Sequence, residues 1–225
     1  MLSKIIFVFI AYLLGSIPFG FLFIKYVFTG GEDVRQIGSG GIGATNVTRR
    51  AGIKAGLLTY LFDVVKGVAA VMLMRLVAAD DYVWIGAAAI AAIAGHIFPI
   101  FLGFKGGKGV ATGVGIYLAL APYSVLATLV LWVLIVYFSK YVSLGSIIAT
   151  AAVPLWTLLF YGVLQPDPHL KALIWIGILG CALIVAKHHE NIKRLMHGTE
   201  NKIGTRVKPG AGSNSTGAAV RGGGD

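Results

Sequence analysis

Long apolar runs separated by short polar or glycine-rich breaks dominate this chain. Six of them, Ile5–Val27, Ala55–Ala78, Tyr82–Leu102, Tyr123–Phe138, Leu144–Val163 and Leu170–Ala186, approach the length of a membrane-crossing helix, which needs about 20 mostly apolar residues. A seventh, Val110–Ala121, ends at Pro122 and is too short to cross an average hydrocarbon core without its neighbours. Counting it as a short spanning helix predicts an all-α integral membrane protein of about seven transmembrane helices. No soluble domain or internal repeat interrupts residues 1–204, which read as one membrane-embedded domain. Residues 205–225, rich in Gly, Ser and Ala and without aromatic residues, read as a flexible tail or expression remnant.

Charge orients the bundle. With seven crossings, the loops at 25–54, 103–109 and 139–143 share a side with everything after Ala186, and that side holds fifteen of the nineteen Lys and Arg residues. Positive loops stay cytoplasmic, so the amino terminus is expected outside and the carboxy terminus in the cytosol. Dropping the short helix would place the later basic loops outside. The first run is longer than a signal-peptide core, and its positive charge follows it instead of preceding it, so it reads as a retained anchor.

Composition agrees with this pattern. Hydrophobic residues make up 57% of the 225-residue chain, charged residues 12%, and the mean hydropathy is +0.83. A soluble domain carries about 25% charged residues, so a water-soluble particle is excluded. The net charge of +10 suits anionic lipid surfaces or anionic small substrates. No nucleic-acid module accompanies it. The lone Cys181 supports neither an intrachain disulfide nor a Cys/His metal site.

Three segments on the expected cytosolic side are unusual. The first runs from Gly38 to Arg50 and contains Ser39, Gly40, Gly41, Gly43, Thr45, Asn46 and Arg49. The second runs from Gly103 to Gly113 and contains Lys105, Gly106, Gly107, Lys108, Gly109 and Thr112. Glycine lets backbone approach a ligand closely, and successive N–H groups can form a concave anion nest. Lys, Arg and hydroxyl groups add charge-assisted bonds to phosphate oxygens, and a helix starting after Lys108 adds its positive end. Tight turns and close helix packing account for such glycines equally well when either loop is taken alone. Two of them on one face, each with a cation and a hydroxyl, favour a ligand. Lys108 is followed by Gly, so the second loop is not a Walker A motif.

The third segment, Ala186 to Leu195, follows the last apolar run. Continued as helix, it puts His188, Asn191 and Leu195 on one face. Its Lys and Arg residues suit lipid headgroups as well as a substrate; a lipid-facing role requires neither His188 nor Asn191. Adjacent His188 and His189 cannot chelate one metal from one helix face, so no metal is expected. Asp63 and Lys66 should pair inside the second helix. His96 is read first as a satisfied buried histidine, with orientation of the second loop as an alternative. Ser143 is placed as a helix cap near the anion site. Trp84, Trp132, Trp156 and Trp175 are read as anchors or packing residues.

Together the three segments resemble the PlsY-type acyl-phosphate:glycerol-3-phosphate acyltransferases of bacteria, over about Ile5 to Gly204. Ser39-Gly40 with Gly43-Ala44-Thr45-Asn46 and Arg49 is similar to that family's first motif. Gly95-His96, Pro99 and Gly106-Gly107-Lys108-Gly109-Val110-Ala111-Thr112 are similar to its second. His188, Glu190-Asn191-Ile192 and Arg194-Leu195, then Gly198 and Glu200, are similar to its third. Gly41 stands where the family usually has Asn, for which altered affinity, not lost activity, is expected.

The resemblance implies transfer of a fatty acyl group from acyl phosphate to the 1-hydroxyl of glycerol 3-phosphate, giving lysophosphatidic acid and phosphate. It also implies a bacterial inner-membrane location with a cytosolic active site, surrounding membrane lipids, and no CoA, cofactor or obligatory protein partner. The mechanism expected from it is direct transfer. Arg49, Ser39 and Asn191 hold glycerol 3-phosphate, Lys108 and the Gly106–Gly109 backbone hold the acyl phosphate, and Thr45, Asn46, Lys105 and Ser143 complete the binding set. Lys108, Arg49 and His188 form the catalytic group, with His188 positioning substrate in preference to acting as base. The His-x4-Asp motif of soluble glycerolipid acyltransferases is absent, since Phe101 lies five residues after His96 and Lys193 and Arg194 five after His188 and His189. A small-anion transporter is the rival reading, but the related halves common among transporters are not found. A purely structural or lipid-binding protein is the third.

Overall fold

The computed structural model describes residues 1–36 and 38–203; the tail expected at 205–225 lies outside the described residues. Its elements are helices: α1 (Leu2–Ser16), α2 (Phe19–Phe23), α3 (Ala44–Ala78), α4 (Tyr82–Ile97), α5 (Val110–Leu120), α6 (Pro122–Ser139), α7 (Val142–Leu158), α8 (Leu170–Ala186) and α9 (His189–Met196). Wide π-type turns extend α2 to Phe28 and α7 to Leu164.

Five segments are long and apolar enough to cross a membrane: Leu2–Phe28, Ala44–Ala78, Tyr82–Leu102, Pro122–Ser139 and Val142–Leu164. A sixth is reached if α8 and α9, bent by 59°, count as one span. Helix α5 has eleven residues, about 16 Å of rise against a core of roughly 30 Å. It lies against α3 instead of standing alone. Every apolar run expected from the hydropathy pattern is helical, but the count of unaided spans is five or six, not seven.

Apolar side chains face both ways, as a bundle in lipid requires. Leu61, Leu76, Val83, Leu126, Val130, Leu134, Leu155 and Trp175 are exposed, while Val71, Met74, Ile85, Ile116, Leu173 and Ile184 fill the interior. With lipid as apolar as the core, close backbone packing drives helix association. At the α1–α4 crossing a Cβ on Gly15 would strike the backbone of Ala92, and one on Gly95 the backbone of Tyr12. At the α3–α5 crossing Gly67 and Gly115 meet the backbones of Thr112 and Val64 in the same way.

Two breaks shape the end of the bundle where the glycine-rich segments gather. Pro18 interrupts the first span after Ser16. Gly52, at φ 85°, kinks α3, a conformation open to glycine and strained for other residues. Residues 44–51, expected as loop, are therefore a short helical arm. That arm puts Thr45, Asn46 and Arg49 at i, i+1 and i+4.

Candidate active site

All three signature segments line one cleft of about 630 Å³. Ser39, Thr45, Asn46 and Arg49 come from the first, Gly107, Lys108 and Gly109 from the second, and His188, Asn191 and Arg194 from the third. The cleft continues between helices past Leu129, Trp132, Val153, Ile176 and Gly177. One end is thus polar and cationic, and the other apolar.

Each polar side chain is held by a nameable contact. Asn46 is buried and works on its own loop: its Nδ2 donates to Val34 O at 3.1 Å and Gly41 O at 2.9 Å, and its Oδ1 accepts from Ser39 N–H at 3.3 Å. Expected as a substrate ligand, Asn46 is engaged in shaping the loop that presents Ser39. The second loop differs from the expected anion nest in one respect. The N–H groups of Gly106 and Gly107 donate back to Ile97 O at 3.2 Å and His96 O at 3.0 Å, so they anchor the loop. Gly109, at φ 87°, turns the chain into α5, whose first N–H groups lack intrahelical acceptors. Lys105 is exposed and outside the cleft lining.

Glu200, which closes the third motif but has no role among the expected site residues, organises this end of the cleft. Its Oε1 accepts from Asn191 Nδ2 at 2.8 Å and Ser143 Oγ at 3.0 Å, and its Oε2 accepts from Arg194 Nε at 2.7 Å. Burial alone would raise its carboxyl pKa, yet these partners hold it below the usual range. Ser143 is accordingly not a helix cap: α7 starts at Val142 after Tyr141 with no side-chain cap bond. The signal for Glu200 is its place at the end of the third motif, ten residues after Glu190.

His188 sits at the α8–α9 bend, not within a continuous helix, and is 1% exposed. Its Nδ1 donates to Ile184 O at 2.8 Å, which leaves Nε2 as an acceptor in the neutral ring. Burial first, then the Lys108 cation, pushes its pKa down to about 4. Lys108 falls to about 8, chiefly by burial, with Arg194 and Arg49 lowering it further and Glu200 opposing them. Neither Arg49 nor Lys108 forms a hydrogen bond or ion pair through its side chain among the described residues, while Arg194 is neutralised by Glu200. Two cations without acidic partners in one cleft form a site for anions.

The glycerol-3-phosphate acyltransferase family model matches residues 5–198, which includes every one of these side chains except Glu200. The chain belongs to that family. Curated glycerol-3-phosphate acyltransferases align along nearly their whole length: that of Geobacter sulfurreducens is 44% identical over 203 residues, covering 90% of this chain and 99% of the relative. That of Trichlorobacter lovleyi is 47% identical over 195 residues, covering 86% and 94%. The fold is similar to crystal structures of PlsY, an integral membrane glycerol 3-phosphate acyltransferase, in its glycerol 3-phosphate and lysophosphatidic acid forms, each with TM-score 0.79, 39% identity and coverage of 90% of this chain and 96% of that one. This glycerol-3-phosphate acyltransferase is therefore a PlsY-type, multi-pass, all-helical integral membrane enzyme, and the transporter and purely structural readings are set aside.

Proposed function

We propose that the enzyme transfers a fatty acyl group from acyl phosphate to the 1-hydroxyl of glycerol 3-phosphate, without CoA, cofactor or metal. The observation that carries this reading is the pair of unpartnered cations, Arg49 and Lys108, at the polar end of a cleft whose other end is apolar. Both substrates carry phosphate, and one carries a long acyl chain that needs the apolar end. PlsY crystallised with glycerol 3-phosphate and with lysophosphatidic acid supports the same acceptor and product here.

Arg49 and Ser39 hold the phosphate of glycerol 3-phosphate. Asn191, its amide fixed by Glu200, presents its remaining oxygen to a glycerol hydroxyl. Lys108 and the start of α5 hold the phosphate of the donor. The 1-oxygen attacks the acyl carbon, the bond from that carbon to the phosphate oxygen breaks, and the hydroxyl proton ends on the departing phosphate. Lys108 stabilises the charge that develops on that leaving group. Holding both substrates in register contributes roughly 7–11 kcal/mol of barrier reduction. His188 orients the acceptor through Nε2. With its pKa near 4, it is too weak a base at neutral pH to drive the step.

Residues 1–204 act as one membrane domain, with the cleft opening to the cytosol of a bacterial inner membrane and the amino terminus outside. The positive loops support this orientation. The test supplies palmitoyl phosphate and glycerol 3-phosphate to the purified protein in lipid. Phosphate release that requires both substrates is the expected result. Equal release with either substrate alone, or acylation only from palmitoyl-CoA, overturns the reading.

A further inference from the structure

Behind the second loop lies a charged group that the transfer step does not touch. Asp63, Lys66 and His96 are 2%, 3% and 3% exposed, within segments that cross the bilayer. Lys66 Nζ stands 2.7 Å from Asp63 Oδ1 and donates to Ile17 O at 3.0 Å, at the break that Pro18 makes in the first span. His96 Nδ1 faces the same carboxylate oxygen at 3.5 Å. The opposite edge of that ring meets the loop: a Cβ on Gly107 would overlap His96 Nε2. Asp63 and His96 also line the cleft. The imidazole is thus wedged between a carboxylate on α3 and the backbone immediately before Lys108.

We propose that Asp63, Lys66 and His96 form a strut that sets the position of the Gly106–Gly109 loop, making His96 a positioning residue for Lys108. The Asp63 carboxylate flanks the Nδ1 edge of the ring at 3.5 Å and the Gly107 backbone flanks the Nε2 edge, so the ring fills the space between α3 and the loop. Lys66 balances the carboxylate and ties the group to the broken first span. Stability alone gives no reason for three ionisable groups here, because well-packed apolar residues of similar volume are often as stable. Placement does: a shift of about 1 Å in a substrate-positioning group can cost roughly 100-fold in rate. The inference rests on Lys108 holding the donor phosphate.

The test uses the full chain in lipid with palmitoyl phosphate and glycerol 3-phosphate, reading kcat, KM and unfolding temperature. His96→Phe keeps a ring and removes both nitrogens; it should lower kcat/KM for the donor by about 100-fold with little change in unfolding temperature. His96→Gln restores a polar atom near Nε2 and should recover about tenfold of that loss. Gly107→Ala should be nearly inactive, and adding His96→Ala to it opens the space the new methyl needs but should restore activity only to the reduced level of His96→Ala alone. A His96→Phe enzyme within about threefold of wild type overturns the strut. So does an equal loss in His96→Gln matched by an equal fall in unfolding temperature, which marks a purely structural residue. Should His96→Phe fail to fold, the Gly107→Ala pair decides: a double variant at wild-type activity overturns the proposal, because Lys108 would then need no strut, and so does one no more active than Gly107→Ala, because the ring would then not meet the loop at Gly107. Failure of the underlying reading is distinct: the wild type releases no phosphate from palmitoyl phosphate, or Lys108→Ala keeps its donor kinetics.

Discussion

Two sets of charges occupy this enzyme under opposite conditions. Asp63, Lys66 and His96 lie inside the bundle and neutralise one another, while Arg49 and Lys108 stand at the polar end of the cleft with no acidic side chain bonded to them. A charge within the hydrocarbon region is costly without a partner, and in the inner set Lys66 and Asp63 supply opposite charges 2.7 Å apart. The outer set is incomplete by design of its surroundings: Glu200 lies nearby, but Arg194, Asn191 and Ser143 already occupy both of its oxygens. On the function proposed above, the missing counter-charge at Arg49 and Lys108 is the substrate's phosphate.

The sharpest way to break this contrast is to remove an outer cation. Lys108→Ala and Arg49→Ala should each lower kcat/KM by about 100- to 1000-fold while leaving the unfolding temperature near wild type, because neither cation holds a protein partner. Near-normal turnover in either variant would falsify its assignment. Glu200→Gln should come next, costing about 1–3 kcal/mol of stability through weakened charge-assisted bonds and lowering turnover as well. Calorimetric or fluorescence unfolding beside the phosphate-release assay measures both, and an unchanged midpoint would remove Glu200 from its organising role.

The same contrast can be read by pH. Lys108, with its pKa down to about 8, loses its charge as pH rises through that value, so kcat/KM for the free enzyme should fall on the alkaline side of about pH 8. Bound phosphate holds the proton on, so the kcat limb should lie higher. His188 is neutral above about pH 4 and should contribute no limb near the ordinary histidine range. His188→Gln is expected to keep the wild-type pH profile at a rate reduced by roughly tenfold; loss of an acidic limb in that variant would instead identify His188 as the base. Smallest of all is Lys105→Ala, whose side chain is exposed and outside the cleft. Its activity should stay within about twofold of wild type, and a larger loss would show that the cleft closes further over its substrate.

Much of this was legible beforehand, and the misses have a common cause. Hydropathy located the apolar helices because burial in lipid is a property of each residue summed along a run. Asp63 and Lys66 were legible as a pair because three residues of helix bring them to one face. Ser143 was misread as a cap because its true partner, Glu200, is 57 positions away. Asn46 and the Gly106–Gly107 backbone were expected to face substrate, yet their donors turn inward to Val34, Gly41, Ile97 and His96. Residue type says that a group can donate a hydrogen bond, not which acceptor the fold will bring within reach.

Composition and run length therefore determined by themselves that this is an all-helical membrane protein, and residue type marked three segments as candidates for phosphate chemistry, since each rests on local transfer energy or side-chain chemistry. Tertiary packing alone decided which donors remain available to a ligand and which are used up in holding the site together. That division depends on distances of about 3 Å between residues far apart in the chain, and only the folded bundle sets those distances.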